Sequence, residues 1–238
     1  MSGHSKWSTI KRKKGAADAK RGIAFTRLSK DITLAARELG GNVDMNPALR
    51  LAVKKAKTAN MPTVNIERAI KKGTGDLPGV TYEDYIYEGY GPGGTAILME
   101  ILTDNKNRTL PEIRSLMTKN GGNLGESGCV NWMFEKKGII IINKADISEN
   151  DILKILDLNV EDVVTEDSYY EIVSTPENFS DISKFLEDKE IPIDGKVTLI
   201  PQNMMKVNAE VGNKAIKLIT VLEEHEDVQN IHSNFEIE

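Results

Sequence analysis

Residues 138–156, GIIIINKADISENDILKIL, and 160–186, VEDVVTEDSYYEIVSTPENFSDISKFL, carry the pattern from which the fold is read. Residues 138–142, a glycine and four consecutive β-branched isoleucines, are a short run of the kind a buried strand uses, and Met133 and Phe134 just before it read the same way. Ser148 offers an N-cap oxygen to a helix with Ile152, Ile155 and Leu156 on one face. Residues 160–165 and 169–173 read as two strands joined by a tight turn at 166–168. Thr175 and Pro176 open a second helix, which buries Phe179, Ile182, Phe185 and Leu186. Residues 196–200, KVTLI, close the unit as a strand. The order β-α-β-β-α-β is that of a ferredoxin-like domain.

The flanks of this unit are incomplete by themselves. On the N-terminal side, residues 82–90 and 95–103 read as a hairpin around the turn Gly91-Pro-Gly-Gly94. Thr109 and Glu112 match a capping box, opening a helix that buries Ile113, Leu116 and Met117 and stops at Gly121 and Gly122. The stretch GGNLGESG at 121–128 reads as a loop. On the C-terminal side there is one helix, through Ala215, Ile216, Leu218, Ile219 and Leu222, and one strand in which Ile231, Ser233, Phe235 and Ile237 alternate. A lone helix and a lone strand cannot bury their apolar faces, so the two flanks are expected to complete one another as a second ferredoxin-like sheet. The expectation is an α+β protein with an N-terminal three-helix domain at 1–79. Residues 80–132 plus 205–238 would form a discontinuous α/β domain, with 133–204 inserted in it.

The formal net charge of −5 conceals a steep asymmetry. Residues 1–75 hold 17 basic against 5 acidic side chains, a net +12, which leaves −17 for residues 76–238. Such a division has two readings: a basic module for polyanions, or a basic third that docks on an acidic remainder. Residues 1–15 carry Lys6, Lys11, Arg12, Lys13 and Lys14 and no acid, with only Trp7 and Ile10 as large apolar groups. Trp7 could pin this arm to a helix or stack on a base. The first helix, about 16–39, places Phe25, Leu28, Ile32, Ala35 and Leu39 on one face, with Lys20, Arg27, Lys30 and Arg37 beside or opposite it and Gly40 as its stop. Asn46 caps a second helix with Leu49, Ala52, Val53 and Ala56 inward and Arg50, Lys54 and Lys57 in one basic row. A third, about 63–72, buries Ile66, Ala69 and Ile70 and ends at Gly73, where Lys71 and Lys72 suit the helix dipole. Arg27, Arg37 and Arg50 are the arginines with the chemistry to read base edges.

Chemistry-bearing constellations are sparse. His4, His225 and His232 are isolated and show no metal-ligand spacing. The single cysteine, Cys129, excludes an intramolecular disulfide and has no histidine nearby in sequence. No phosphate-binding glycine loop precedes a helix. No apolar run approaches the roughly 18 residues a membrane helix needs, and the charged opening MSGHSKWSTIKRKK does not read as a secretory signal. An enzyme, a metal site or a cofactor is therefore not expected.

The block MSGHSKWSTIKRKKGAADAKRG at 1–22 closely resembles the opening of the YebC/PmpR family. The resemblance continues through MPTVNIERAIKKGTG at 61–75, YEGYGPGGTAI at 87–97, TDNKNRT at 103–109 and DVQNIHSNFEI at 227–237. It implies a helical first domain and two α/β domains, one interrupting the other. It also implies a cytoplasmic DNA-binding transcriptional regulator without a catalytic role. A mitochondrial relative activates translation, so the resemblance leaves ribosomal RNA or the ribosome as the alternative partner, with protein partners on the acidic domains. It places the basic surface on Lys11, Arg12, Lys13, Lys14, Lys20, Arg21, Arg27 and Lys30, and adds Arg50, Lys54 and Lys57. Lys6 joins this set from its place in the same basic arm.

Overall fold

A computed structural model describes residues 19–77 and 81–238, with side chains from residue 24 onward in the first segment. Three helices come first: α1 (Ala19–Leu39), α2 (Pro47–Thr58) and α3 (Thr63–Thr74). Ile32, Leu49, Ala56, Ile66 and Ala69 form their common core, with Phe25, Leu28 and Ile70 packed against it. The side chain of buried Asn46 does two jobs. Its Oδ1 accepts from Leu49 N at 2.9 Å and caps α2, while its Nδ2 donates to Ala35 O and Gly40 O at the end of α1, both at 2.8 Å. One amide thereby caps α2 and ties its start to the last turn of α1. Gly73 does not end α3. It lies where α3 crosses α1, and a Cβ there would stand 2.4 Å from Thr33 O. The left-handed stop is Gly75, with φ +84°.

The second unit is a four-stranded sheet of order β3-β1-β2-β9, with neighbours antiparallel. Its strands are β1 (Glu83–Tyr90), β2 (Ala96–Thr103), β3 (Asn123–Leu124) and β9 (Val228–Ser233). Helices α4 (Lys106–Lys119) and α7 (Ala209–Glu223) cover one face, burying Ile97, Met99, Ile101, Met117, Leu218 and Leu222. Ala96 and Leu98 point to the other face, where they meet Val130, Phe134 and Leu199. Strand β2 is buried on both sides, which is why its sequence is a continuous apolar run instead of an alternation.

The third unit lies between α4 and α7 in sequence. It comprises β4 (Phe134–Asn143), α5 (Glu149–Leu156), β5 (Asp162–Thr165), β6 (Tyr169–Ser174), α6 (Pro176–Asp188) and β7 (Asp194–Pro201). The antiparallel order β5-β6-β4-β7 is the ferredoxin-like order for a β-α-β-β-α-β chain. Ser148 and Thr175 cap α5 and α6 through their side chains. The fold class is the expected one, N-terminal helices followed by two antiparallel α/β sheets, but the middle sheet is not the second ferredoxin-like sheet expected: its elements run β-β-α-β-α-β in the order β3-β1-β2-β9, and its edge strand β3 lies within the stretch 121–128 read as a loop.

Three local readings are corrected. Helix α4 begins at Lys106 and is capped by Asn105, whose Oδ1 accepts from Arg108 N, so the Thr109–Glu112 box is not its cap. Thr109 is buried, and its hydroxyl serves a carboxylate described below. The last alternating strand is two strands. Asn234 interrupts it, taking Ala96 N on its Oδ1 and Met205 N on its carbonyl. The chain then continues as β10 (Phe235–Ile237), parallel to the short strand β8 (Met205–Val207). Met133 belongs to a 3-10 turn (Asn131–Met133) before β4.

Candidate nucleic-acid interface

The helical unit sorts its cations into two groups. On α2, the inward set Leu49, Ala52, Val53 and Ala56 forces Arg50, Lys54 and Lys57 outward, and all three are exposed. Lys54 and Lys57 form no ion pair with a described residue. The Arg50 guanidinium donates to Val43 O at 3.2 Å and to Asp44 O at 2.5 Å, so it also ties down the α1–α2 loop. On α3, burial of Ile66 and Ala69 leaves Arg68 and Lys71 exposed and Lys72 half-buried.

The second group does not face solvent. Lys30, expected on the phosphate-binding surface, is 5% exposed and reaches into the middle unit. Its Nζ donates to Asp227 Oδ1 at 2.6 Å and to the carbonyls of Leu102 and Glu226, each at 3.0 Å. Arg27 is withdrawn in the same way, its Nη2 donating to the carbonyls of Glu223 and His225. Burial lowers the Arg27 guanidinium below its ordinary value. The same packing raises the neighbouring Asp31 carboxyl, chiefly through desolvation. Lys30 is therefore removed from the candidate contact surface, because its three donors are all bonded in a buried junction; Arg27 is half-buried, with its Nη2 turned to carbonyls of the middle unit and its Nε buried without a partner. Arg37 is exposed but donates to Tyr82 O at 3.1 Å.

Asp227 is the centre of this junction. At 1% exposure it accepts from Lys30, from Arg108 Nη2 at 2.8 Å, from Thr109 Oγ1 at 2.7 Å and from Thr103 Oγ1 at 3.2 Å. Burial by itself would raise its carboxyl, yet the hydrogen bonds from Lys30, Arg108 and Thr109 outweigh it and hold the pKa at about 2. His225 steadies the loop from outside: its Nδ1 accepts from Asp227 N at 3.1 Å, which leaves Nε2 to donate to Glu112 at 3.0 Å. Part of the charge asymmetry is thus spent on docking the helical unit to the acidic remainder, and part of it stays exposed.

Lys6, Lys11, Arg12, Lys13 and Lys14 lie outside the described residues. Lys20 and Arg21 fall in the first turns of α1, and their side chains lie outside them too. Among the expected contacts that are described, the structure brings together Arg50, Lys54 and Lys57. The sequence reading passed over Arg68, although its signal was present: Asn65, Arg68 and Lys72 recur at i, i+3 and i+7, one face of α3.

Among the described residues no group of three or more His, Cys, Asp or Glu side chains is arranged to hold a metal ion. No described helix is long and apolar enough to cross a membrane. Cys129 is half-buried, and burial, with Glu88 adding to it, pushes its thiol up, away from the reactive thiolate.

Residues 5–76 match a family model described as the TACO1/YebC protein N-terminal domain, and residues 82–235 match one described as the TACO1/YebC second and third domain. A probable transcriptional regulatory protein of Geobacter sulfurreducens is 52% identical over 238 residues, covering 100% of this chain and 96% of the relative. Another of that description, from Desulfotalea psychrophila, is 52% identical over 241 residues with the same coverage. The crystal structure of a conserved hypothetical protein from Aquifex aeolicus superposes with a TM-score of 0.82 at 44% identity, covering 95% of this chain and 94% of that one.

Proposed function

This chain belongs to the TACO1/YebC family, and on that premise we propose that it is a cytoplasmic, DNA-binding transcriptional regulator that grips the phosphate backbone with its helical domain. The relatives' description as probable transcriptional regulatory proteins supports the regulatory part. The observation that carries the binding part is the outward row Arg50, Lys54 and Lys57 on α2. Cations in such a row release condensed counterions when they meet phosphates, whatever the base sequence. Lys6, Lys11, Arg12, Lys13, Lys14, Lys20 and Arg21 extend the contact from the N-terminal side. The acidic sheets take no part in the grip and are left to meet protein partners. The protein is not an enzyme in this reading.

One observation favours a second target, structured RNA such as that of the ribosome. The three arginines best suited to base readout, Arg27, Arg37 and Arg50, each donate to backbone carbonyls of this chain. The free cations on α2 are lysines, which act as point charges on phosphates and do not read bases bidentately. Contacts of that kind suit any folded sugar-phosphate surface. A gel shift separates the targets: labelled promoter duplex challenged with scrambled duplex and with folded ribosomal RNA fragments. Preferential displacement by RNA, with scrambled and promoter duplex equal, would replace DNA by RNA as the target. No shift by any of the three would end the proposal.

A further inference from the structure

The helical unit holds a cleft of about 390 Å³ where α1, α3 and the segment entering β1 meet. Phe25 and Ser29 line it from α1, Asn65, Arg68 and Lys72 from α3, and Tyr82 from the entering segment. Its volume falls in the range of small-molecule sites. The composition narrows the occupant. No carboxylate lines the cleft, and neither Arg68 nor Lys72 has an ion-pair partner among the described residues. Arg68 and Lys72 stand one turn apart on the same face, close enough for one anionic group to bridge them. Asn65, a turn earlier, presents both amide donors and an acceptor.

The rest of the wall carries two aromatic rings, Phe25 and Tyr82, among Thr26, Ser29, Met61 and Ala69, and Tyr82 is held in place. Arg37 donates to the carbonyl of Tyr82 at 3.1 Å, and the Lys30 ammonium lies 5.5 Å from the centre of the Tyr82 ring. Lys30 is itself fixed by Asp227, so the docking of the helical unit sets the position of this ring. Burial of Tyr82, with Asp104, Asp227 and Glu226 near it, raises its hydroxyl further above the neutral range, so the ring stays uncharged.

From a paired-cation wall, an amide and two rings, we propose that the cleft binds a phosphorylated nucleoside. The phosphate sits between Arg68 and Lys72, and the base lies against Phe25 and Tyr82 with Asn65 at its edge. The same chemistry is offered by a free 5′-mononucleotide and by an unpaired nucleotide in a strand. The inference deepens the nucleic-acid reading and rests on it in the second case only.

Calorimetric titration of the full chain tests it, with AMP, GMP, CMP, UMP and inorganic phosphate, then a single-stranded octanucleotide and a blunt duplex. At least one mononucleotide binds, about tenfold more tightly than inorganic phosphate, because the ring contributes stacking that phosphate lacks. Arg68→Gln and Lys72→Gln each weaken the mononucleotide about fivefold or more. Tyr82→Leu weakens the mononucleotide but leaves inorganic phosphate unchanged, while Tyr82→Phe retains binding. Tighter mononucleotide binding than octanucleotide binding assigns the cleft to a free nucleotide; the reverse assigns it to a strand. Absence of mononucleotide and octanucleotide binding overturns the proposal, as does binding that Arg68→Gln and Lys72→Gln leave intact. Duplex affinity that survives in that case, and falls on reversal of Arg50, Lys54 and Lys57, shows that the cleft alone has failed. Mononucleotide binding without any affinity for duplex or folded RNA shows the opposite.

Discussion

Replacing Asp227 by Asn removes the charge on which the helical unit is seated. The carboxyl's depression from 3.8 to about 2 corresponds to about 2 kcal/mol at neutral pH. That figure covers the carboxylate side alone. The Lys30 ammonium, 5% exposed, would be left with two carbonyls and no counter-charge, and breaking such a buried pair costs about 3–5 kcal/mol. We expect Asp227→Asn to lose about 3–5 kcal/mol in urea unfolding at pH 7. Lys30→Met removes the buried ammonium with its charge and leaves Asp227 with Arg108, so about 1–3 kcal/mol is expected. The double variant should lose less than the sum, with a coupling of about 1–3 kcal/mol. The sign with pH follows from a lowered carboxyl: the stabilisation is complete above about pH 4 and disappears as the pH falls through about 2. Wild type and Asp227→Asn should therefore converge in acid. A loss under about 0.5 kcal/mol at pH 7, or additive single losses, would refute the seat.

Other perturbations follow from the α/β units. Burial, with Glu166 and Asp162 adding to it, raises buried Glu171 to about 7, so its stabilising protonated form is lost as pH rises through 7. Glu171→Gln should then stabilise the protein by about 2–3 kcal/mol at pH 8 and by little at pH 5, read by urea unfolding at both. Glu88 takes three amide protons, from Gly128 at 2.7 Å, Val130 at 2.8 Å and Asn131 at 2.7 Å, which outweigh its burial and lower its carboxyl. In Glu88→Ala, amide hydrogen exchange at those three positions should accelerate by about tenfold or more, while β2 keeps its protection. Unchanged exchange would show the loop to be held by something else. Asn46→Ala should cost about 1–3 kcal/mol, because it frees one buried and one part-buried carbonyl as well as a helix cap; a loss of a few tenths would contradict that bonding.

The elements legible in the sequence are those whose signal is local. The run at 138–142, the caps at Ser148 and Thr175 and the apolar stripe of α1 are each specified within a turn or a strand. The doubly buried β2 announced itself by its lack of alternation. What was hidden depends on partners distant in sequence. Lys30 and Asp227 are 197 positions apart, and a lysine at the edge of an apolar stripe reads the same whether it meets water or a buried carboxylate. The spacing of Thr109 to Glu112 reads as a cap, but Asn105, one turn earlier, has the better side chain, whose Oδ1 accepts from the free Arg108 N–H. Strands β9 and β10 read as one in sequence because Asn234 breaks the ladder by its backbone and amide contacts, without breaking the alternation of side chains. The cleft beside Tyr82 was invisible for the same reason as the Asp227 junction: its walls come from three separated segments.

The most direct test of the cationic grip is the salt dependence of binding, followed by fluorescence anisotropy of a labelled duplex with the full chain and with an Arg50→Glu, Lys54→Glu, Lys57→Glu variant. Loss of three phosphate contacts should make the slope of log affinity against log salt shallower by about 2.7, with affinity reduced at every salt concentration. A slope and affinity equal to those of the wild type would contradict the assignment of this face to the phosphate backbone.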